Sequence, residues 1–170
     1  MGWTFEELAS RELDGLWHGA LFLSAGDQHA AEQLLERALR HALASLRATG
    51  RPEHAQKWLE ARLVGAFLET PAGPALEVGR WHWPWSARQK PSAPVEPRPD
   101  PRVTLLFDAA RTIPADARAA LWLVVFRRWK PDEAAGVLLV EPGAAHALLE
   151  QRVMLTHALV SGLPHSATSQ

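Results

Sequence analysis

A regular helical period over residues 28–48 constrains the fold of this chain more than any other feature. Apolar residues recur there at every third or fourth position, so they share one face of an amphipathic helix. That face comprises Ala31, Leu34, Leu35, Ala38, Leu39, Ala42 and Leu46. Asp27 precedes the period and can cap the helix, whereas Gly50 follows it and can end the helix.

Two further helices are predicted on either side of this one. Thr4 and Glu7 have the spacing of a capping box and begin an apolar stripe that runs to residue 23. Pro52 opens a third apolar pattern, which continues to about Glu69. Because amphipathic helices with short connections bury their apolar faces against one another, residues 1–69 are predicted to form a three-helix domain.

Residues 113–159 contain three more helical patterns in quick succession. The first covers residues 114–127, and Pro131 can start the second because proline suits a first helical turn. A turn at Val140–Glu141–Pro142–Gly143 precedes the last and longest pattern. Short helices, a tight turn and a longer last helix are typical of a helix-turn-helix, whose last helix enters the DNA major groove. An ordinary helical hairpin in a bundle fits the same pattern.

Residues 70–102 separate the two helical regions and contain eight prolines, so we expect a linker whose later part is extended. Trp81, Trp83 and Trp85 alternate along the chain and therefore fall on one side of an extended segment. These tryptophans can pack between the two domains, hold a protein partner or stack on unpaired bases. Packing is favoured, because large aromatic side chains more often bury area than read bases. Residues 161–170 carry no pattern and are predicted to be a disordered tail.

The composition and the absence of known catalytic motifs argue against several classes of enzyme. The chain has no cysteine, which excludes disulfide bonds and thiol catalysis and agrees with a reducing cytoplasm. We expect a cytoplasmic protein, since there is neither a basic, apolar leader nor an apolar run of the ~20 residues that a membrane helix needs. The sequence contains no glycine-rich phosphate loop, nucleophile elbow or zinc-enzyme motif. His29 and Glu32 have the spacing of one metal-ligand pair on a helix, but the second such pair that a helical metal site needs is missing. We therefore expect no cofactor and no catalytic or metal-binding residue, and a helical metal-dependent enzyme is disfavoured.

The C-terminal helical patterns resemble a known family. The matching residues are Ile113–Pro114, Ala120–Leu121, Asp132–Glu133–Ala134–Ala135, Leu138, Val140 and Gly143. Their order and spacing resemble the C-terminal domain of extracytoplasmic-function (ECF) sigma factors of the sigma-70 family, which direct RNA polymerase to promoters. The resemblance implies an all-α chain with a sigma-like N-terminal domain at 1–69, a linker at 70–102 and a helix-turn-helix domain at 103–160.

The N-terminal region extends the resemblance. Residues 21–27, Leu-Phe-Leu-Ser-Ala-Gly-Asp, match the family's loop before the helix that grips the clamp of core RNA polymerase. Glu32, Gln33 and Glu36 lie over that gripping motif, so the resemblance implies that they bind the polymerase. Ala30 stands where an acidic residue is usual.

Promoter contact is implied for the helix after Pro142 and for the basic residues that precede Pro131. The residues concerned are Arg127, Arg128, Lys130, His146, Gln151 and Arg152. Residues 103–170 nevertheless carry six basic and six acidic residues, whereas duplex binding depends on neutralising phosphates with cations. An alternative therefore stays open, in which a degenerate sigma homologue binds a protein, such as an anti-sigma factor or the polymerase, with little affinity for DNA.

Overall fold

Every regular element that the computed structural model describes is helical. The model describes residues 4–69 and 100–140. The elements are α1 (Phe5–Leu23), α2 (Gln28–Thr49), α3 (Ala55–Leu68), α4 (Pro101–Thr112), α5 (Ala115–Leu121), a π-helical turn (Trp122–Phe126) and α6 (Pro131–Leu138). The predicted all-α class is confirmed for these residues.

Capping side chains begin the first two helices where the sequence predicts. The hydroxyl of Thr4 accepts the backbone N–H of Glu7 at 3.2 Å, and the Glu7 carboxylate accepts the backbone N–H of Thr4 at 2.8 Å. Asp27 caps α2 by accepting the backbone N–H of Ala30 at 2.9 Å. Gly50 ends α2 with a φ of 79°, a conformation that glycine adopts at little cost. The predicted capping box and both ends of α2 are thus confirmed.

Two predicted helix boundaries are wrong. Helix α3 begins at Ala55 rather than Pro52, and its N-cap residue, His54, makes no side-chain hydrogen bond to the helix. The helix predicted over residues 114–127 ends at Leu121 and continues as the π-helical turn. In this wider turn the N–H of Arg127 donates to the carbonyl of Trp122 at 3.0 Å. The side chains of Trp122 and Leu123, at the start of this turn, are both buried in the core.

Helix α4 begins within the range predicted as linker. Asp100 caps it by accepting the backbone N–H of Arg102 at 2.9 Å, and Pro101 occupies its first turn. The sequence patterns did not predict this helix. Helix α6 begins at Pro131 as predicted and ends at Leu138, and the C-cap residue that follows, Leu139, has a left-handed φ of 56°.

The helices of both described segments contribute to one connected set of buried side chains. Helices α1, α2 and α3 pack on one another, while α5, the π-helical turn and α6 pack on α1 and α3. The fully buried members with the largest side chains include Leu8, Leu23, Leu39, Leu59, Leu63, Leu121 and Leu123. The core therefore runs from residues 4–69 into residues 100–140.

Parts of the sequence predictions lie outside the described residues. These are most of the 70–102 linker, the turn after Val140, the last helix of the predicted helix-turn-helix and the 161–170 tail. Within the described ranges, none of the helices combines the length and apolar character needed to cross a membrane.

Candidate functional site

A buried carboxylate joins the N-terminal helices to the end of the π-helical turn. Glu60 on α3 has only 2% of its surface exposed. Its Oε1 accepts Arg127 Nε at 2.6 Å and also contacts Arg127 Nη2, while its Oε2 accepts the indole N–H of Trp129 at 2.6 Å. Gln56, one turn earlier on α3, adds an amide donor to Oε1 at 3.1 Å. These donors offset the cost of burying the charge.

Further charges surround this buried pair. Glu12 on α1 lies 4.0 Å from the Arg127 guanidinium and accepts Arg11 Nε at 3.0 Å. On the other side, Lys57 donates to Glu133 at 2.7 Å and lies 5.3 Å from the centre of the Trp129 ring. Hydrogen bonds from the Lys57 side chain and from the backbone N–H of Lys130 lower the pKa of Glu133. The contact between α3 and the end of the π-helical turn therefore has a polar centre.

Glycines on α1 admit the side chains of the π-helical turn and of Arg127. A Cβ at Gly19 would lie within 2.7 Å of the indole nitrogen of Trp122, and a Cβ at Gly15 would lie 3.1 Å from Arg127 Nη1. The two glycines are one helical turn apart and so share one face of α1. Trp122, which is 2% exposed, fills the space that a larger side chain at Gly19 would take.

Residues of α4, α5 and the π-helical turn contact the C-terminal end of α1 and the loop after it. Arg118 on α5 donates to the carbonyl of Leu23 at 2.7 Å, where a cation also meets the negative end of the α1 dipole. Partial burial lowers the pKa of Arg118. The rings of Phe22 and Phe126 lie 5.0 Å apart, and Phe107 of α4 packs over Gly26. The loop that resembles the sigma-family loop is therefore covered on this side by α4, α5 and the π-helical turn.

The outer face of α2 carries the residues predicted to bind polymerase. Glu32 and Gln33 are exposed, and Glu36 is half-buried. Gln33 hydrogen-bonds to His29 at 2.9 Å, and Glu36 pairs with Arg40 one turn later. The structure thus places the three predicted residues on consecutive turns of one helix, with their backbone anchored by the buried face of α2.

The residues predicted to contact DNA fall into three groups. Arg127 is half-buried and paired with Glu60, whereas Arg128 and Lys130 are exposed. The other three, His146, Gln151 and Arg152, lie outside the described residues, as do Trp81, Trp83 and Trp85. Among the described residues predicted to contact DNA, two cations, Arg128 and Lys130, are therefore exposed, and one, Arg127, is half-buried in an ion pair.

Sequence reasoning missed the role of Glu60. The signal was present, because Glu60 precedes Leu63 and Val64 by three and four residues and so belongs to the buried face of α3. A carboxylate on such a face needs a cation or several donors nearby. No local pattern predicts that this cation is Arg127, which lies 67 residues further along the chain.

The arrangement offers charged surfaces for binding. Among residues 4–69 and 100–140, no three His, Cys, Asp or Glu side chains are grouped so that they could hold a metal ion. No protein-family model matches the chain, and comparison with the curated proteins gives no match.

Proposed function

We propose that this chain is a sigma-factor-like regulator of transcription initiation with two small helical domains, whose described residues share one connected core. It binds core RNA polymerase through the outer face of α2 and contacts promoter DNA through its C-terminal domain. The observation that carries the proposal is the exposure of Glu32 and Gln33 directly after the Asp27-capped loop. Their positions on the helix are those that the family resemblance assigns to polymerase binding.

The loop before α2 supports this assignment physically. Ala25 and Gly26 both have positive φ, at 51° and 84°, so the chain reverses sharply within two residues. The N–H of Gly26 donates to the carbonyl of Leu21 at 2.8 Å, and Asp27 then caps α2. A tight, capped reversal fixes the direction of the first turns of α2. It therefore presents the exposed side chains of Glu32 and Gln33 in one orientation to a partner surface.

Capture of core polymerase by charge-reversed variants tests this surface. Glu32→Lys should weaken binding to core RNA polymerase at least tenfold, since an attractive contact becomes repulsive. Glu53→Lys makes the same charge change at an exposed position before α3 and should bind like the unmodified chain. If Glu32→Lys and Glu53→Lys bound the polymerase equally well, α2 would not be the polymerase-binding surface.

A second function is favoured by the placement of Arg127. Because Glu60 takes up that cation and the C-terminal segment has no net positive charge, the described C-terminal residues offer little to a DNA backbone. The alternative is a degenerate sigma homologue that acts as a protein-binding regulator, either a sigma mimic or a partner of an anti-sigma factor. Such a protein keeps the α2 surface and dispenses with promoter contact.

Salt dependence of duplex binding separates the two functions. For a promoter-binding protein, replacing both Arg128 and Lys130 by alanine should make the slope of log affinity against log salt shallower by about two, at about 0.9 per phosphate contact. Arg47→Ala removes an exposed cation at the end of α2 and should leave the slope unchanged. A flat slope for the unmodified chain, with polymerase capture retained, would favour the protein-binding regulator.

A further inference from the structure

Apolar side chains at the C-terminal end of α1 are left in contact with solvent. The ring of Phe126, which is 47% exposed, has its centre 5.0 Å from that of buried Phe22. Four residues after Phe22, Gly26 is covered by the half-buried ring of Phe107 on α4. Val103, one helical turn before Phe107, is 41% exposed. Phe126, Phe107 and Val103 together form what we call the α1-end surface.

Exposed large apolar side chains concentrate at this surface. Among residues 4–69 and 100–140, those side chains are Val103, Val125, Phe126 and Leu139. Two of the four belong to the α1-end surface, and Val125 adjoins Phe126 in the chain. Neighbouring exposed apolar side chains mark a contact site, so we expect this surface to be covered.

The chain leaves and re-enters the described fold beside this surface. In the last turn of α3, the ring of Phe67 lies 5.5 Å from the guanidinium of Arg118, which also donates to the carbonyl of Leu23 at the end of α1. Val103 belongs to the first turn of α4. Residues 70–99 lie outside the described residues, and the described helices on either side of them both reach the C-terminal end of α1.

We propose that the α1-end surface is the docking site of residues 81–85 of this same chain. In the docked state the indole rings of Trp81, Trp83 and Trp85 cover the exposed side chains of the surface. The proposal goes beyond the proposed function and does not depend on it, since docking involves no other molecule.

The length of the intervening chain permits this contact and favours it over contacts with other molecules. Residue 81 lies 12 positions after residue 69, and residue 85 lies 15 positions before residue 100. Because an extended chain spans about 3.3–3.6 Å per residue, each arm reaches about 40 Å or more. A tether of this kind gives a segment an effective concentration on the order of millimolar. The tryptophans of the chain itself therefore outcompete partners present at micromolar concentration.

The chemistry of the two sides is matched. Tryptophan buries a large apolar area while its indole N–H can remain at the water boundary, as a docked surface segment requires. Aromatic rings pack favourably on one another at centroid separations of about 4.5–7 Å, which suits a contact with the rings of Phe126 and Phe107. Alternate residues of an extended segment lie about 7 Å apart on one side, so three tryptophans can cover a row of side chains.

The contact between the N-terminal and later helices does not offer these tryptophans the place that the sequence favours. In the described part of the chain, that contact is filled by Trp122, Leu123 and Trp129, which are 2%, 0% and 6% exposed. Packing of residues 81–85 between two domains is thereby replaced by packing on the outside of the joint core.

Distances between two spin labels test the docking on the full chain. Because the chain has no cysteine, labels can be attached at cysteines introduced for Ser86, next to the tryptophans, and for Arg47, at the exposed end of α2. Docking should give one narrow distance distribution. Phe126→Ser and Val103→Ser should each broaden it, as should joint replacement of Trp81, Trp83 and Trp85 by serine.

A matched control and the opposing outcomes complete the measurement. Leu139→Ser removes another exposed apolar side chain, 91% exposed, that is not part of the surface, and should leave the distribution narrow. If Phe126→Ser loses its helical circular dichroism, Val103→Ser decides. A broad distribution in the unmodified chain would overturn the proposal, as would a narrow one that neither surface variant changes. Narrowing only on addition of oligothymidine would assign the tryptophans to bases, and narrowing only at raised protein concentration would assign them to a second copy.

A double-mutant cycle adds a thermodynamic readout. Trp83→Ser, Phe126→Ser and the double variant are compared by urea unfolding followed by circular dichroism. If the two side chains meet, the unfolding constant of the double variant should be roughly tenfold smaller than the product of the two separate effects predicts, since contacting residues couple. Additive effects would show that Trp83 does not dock on Phe126.

Discussion

Replacing Glu60 by alanine should destabilise the chain by about 3–5 kcal/mol. The substitution leaves the Arg127 guanidinium, whose side chain is 22% exposed, with only the more distant Glu12 carboxylate at 4.0 Å, and breaking a buried pair from one side costs about this much. It also removes the acceptor of the buried Trp129 indole N–H, a loss of about 1–3 kcal/mol that is included in that range. The total stability of a domain is about 5–15 kcal/mol, so the effect is large.

A double-mutant cycle isolates the interaction from the loss of packing. Glu60→Ala, Arg127→Ala and the double variant are compared by urea unfolding, followed through tryptophan fluorescence because Trp122 and Trp129 are buried. The coupling free energy between Glu60 and Arg127 should be about 2–3 kcal/mol, at the upper end for contacting residues. The double variant should be more stable than Glu60→Ala alone, since it buries no unpaired charge.

The half-exposed ion pair between Lys57 and Glu133 is the control for this cycle. Because water screens that pair, its coupling free energy should be much smaller than that between Glu60 and Arg127. A coupling below about 0.5 kcal/mol between Glu60 and Arg127 would refute the reasoning. It would mean that the carboxylate and the guanidinium are not joined in the folded chain.

Three further substitutions test local features of the fold. Thr4→Ala should lower the free energy of unfolding by about 1 kcal/mol, measured by urea titration, because the capping box with Glu7 is lost. Leu139→Gly should raise it by about 1 kcal/mol, because φ at this exposed position is 56° and glycine adopts that conformation without steric cost. Glu133 has a pKa lowered from its usual 4.5 by Lys57, so its contribution to stability is present above that value and is lost as pH falls through the lowered pKa. Thermal melts of the unmodified chain and of Glu133→Gln should therefore differ near neutral pH and converge in acid.

Local patterns predicted most of the helices. The apolar period over residues 28–48 and the capping residues Thr4, Asp27 and Gly50 placed α1 and α2 within about a residue of their observed ends. These features are local, since a cap acts within one turn and an amphipathic face repeats every three or four residues. Pro131 predicted the start of α6 for the same reason.

The features that the sequence did not predict depend on contacts between distant residues. The π-helical turn follows directly on α5, and Trp122 and Leu123 within it are buried in the core. The space for Trp122 is supplied by Gly19, about a hundred residues earlier. The buried pair of Glu60 and Arg127 likewise joins residues that no short-range pattern relates.

Helix α4 was missed for a different reason. Proline is frequent just before it, and that composition favoured an extended linker up to residue 102. Asp100 followed by Pro101 is equally typical of a helix N-terminus, where aspartate caps and proline occupies the first turn. The last two residues of a proline-rich stretch can therefore be the first residues of a helix.

Stoichiometric binding to core RNA polymerase tests the central claim most directly. The chain and core polymerase are mixed at micromolar concentration, and the eluted complex is quantified by size-exclusion chromatography for the unmodified chain and for Glu32→Lys and Glu53→Lys. The account predicts one chain per polymerase for the unmodified protein and for Glu53→Lys, with Glu32→Lys eluting free. A failure of the unmodified chain to co-elute with the polymerase would contradict it.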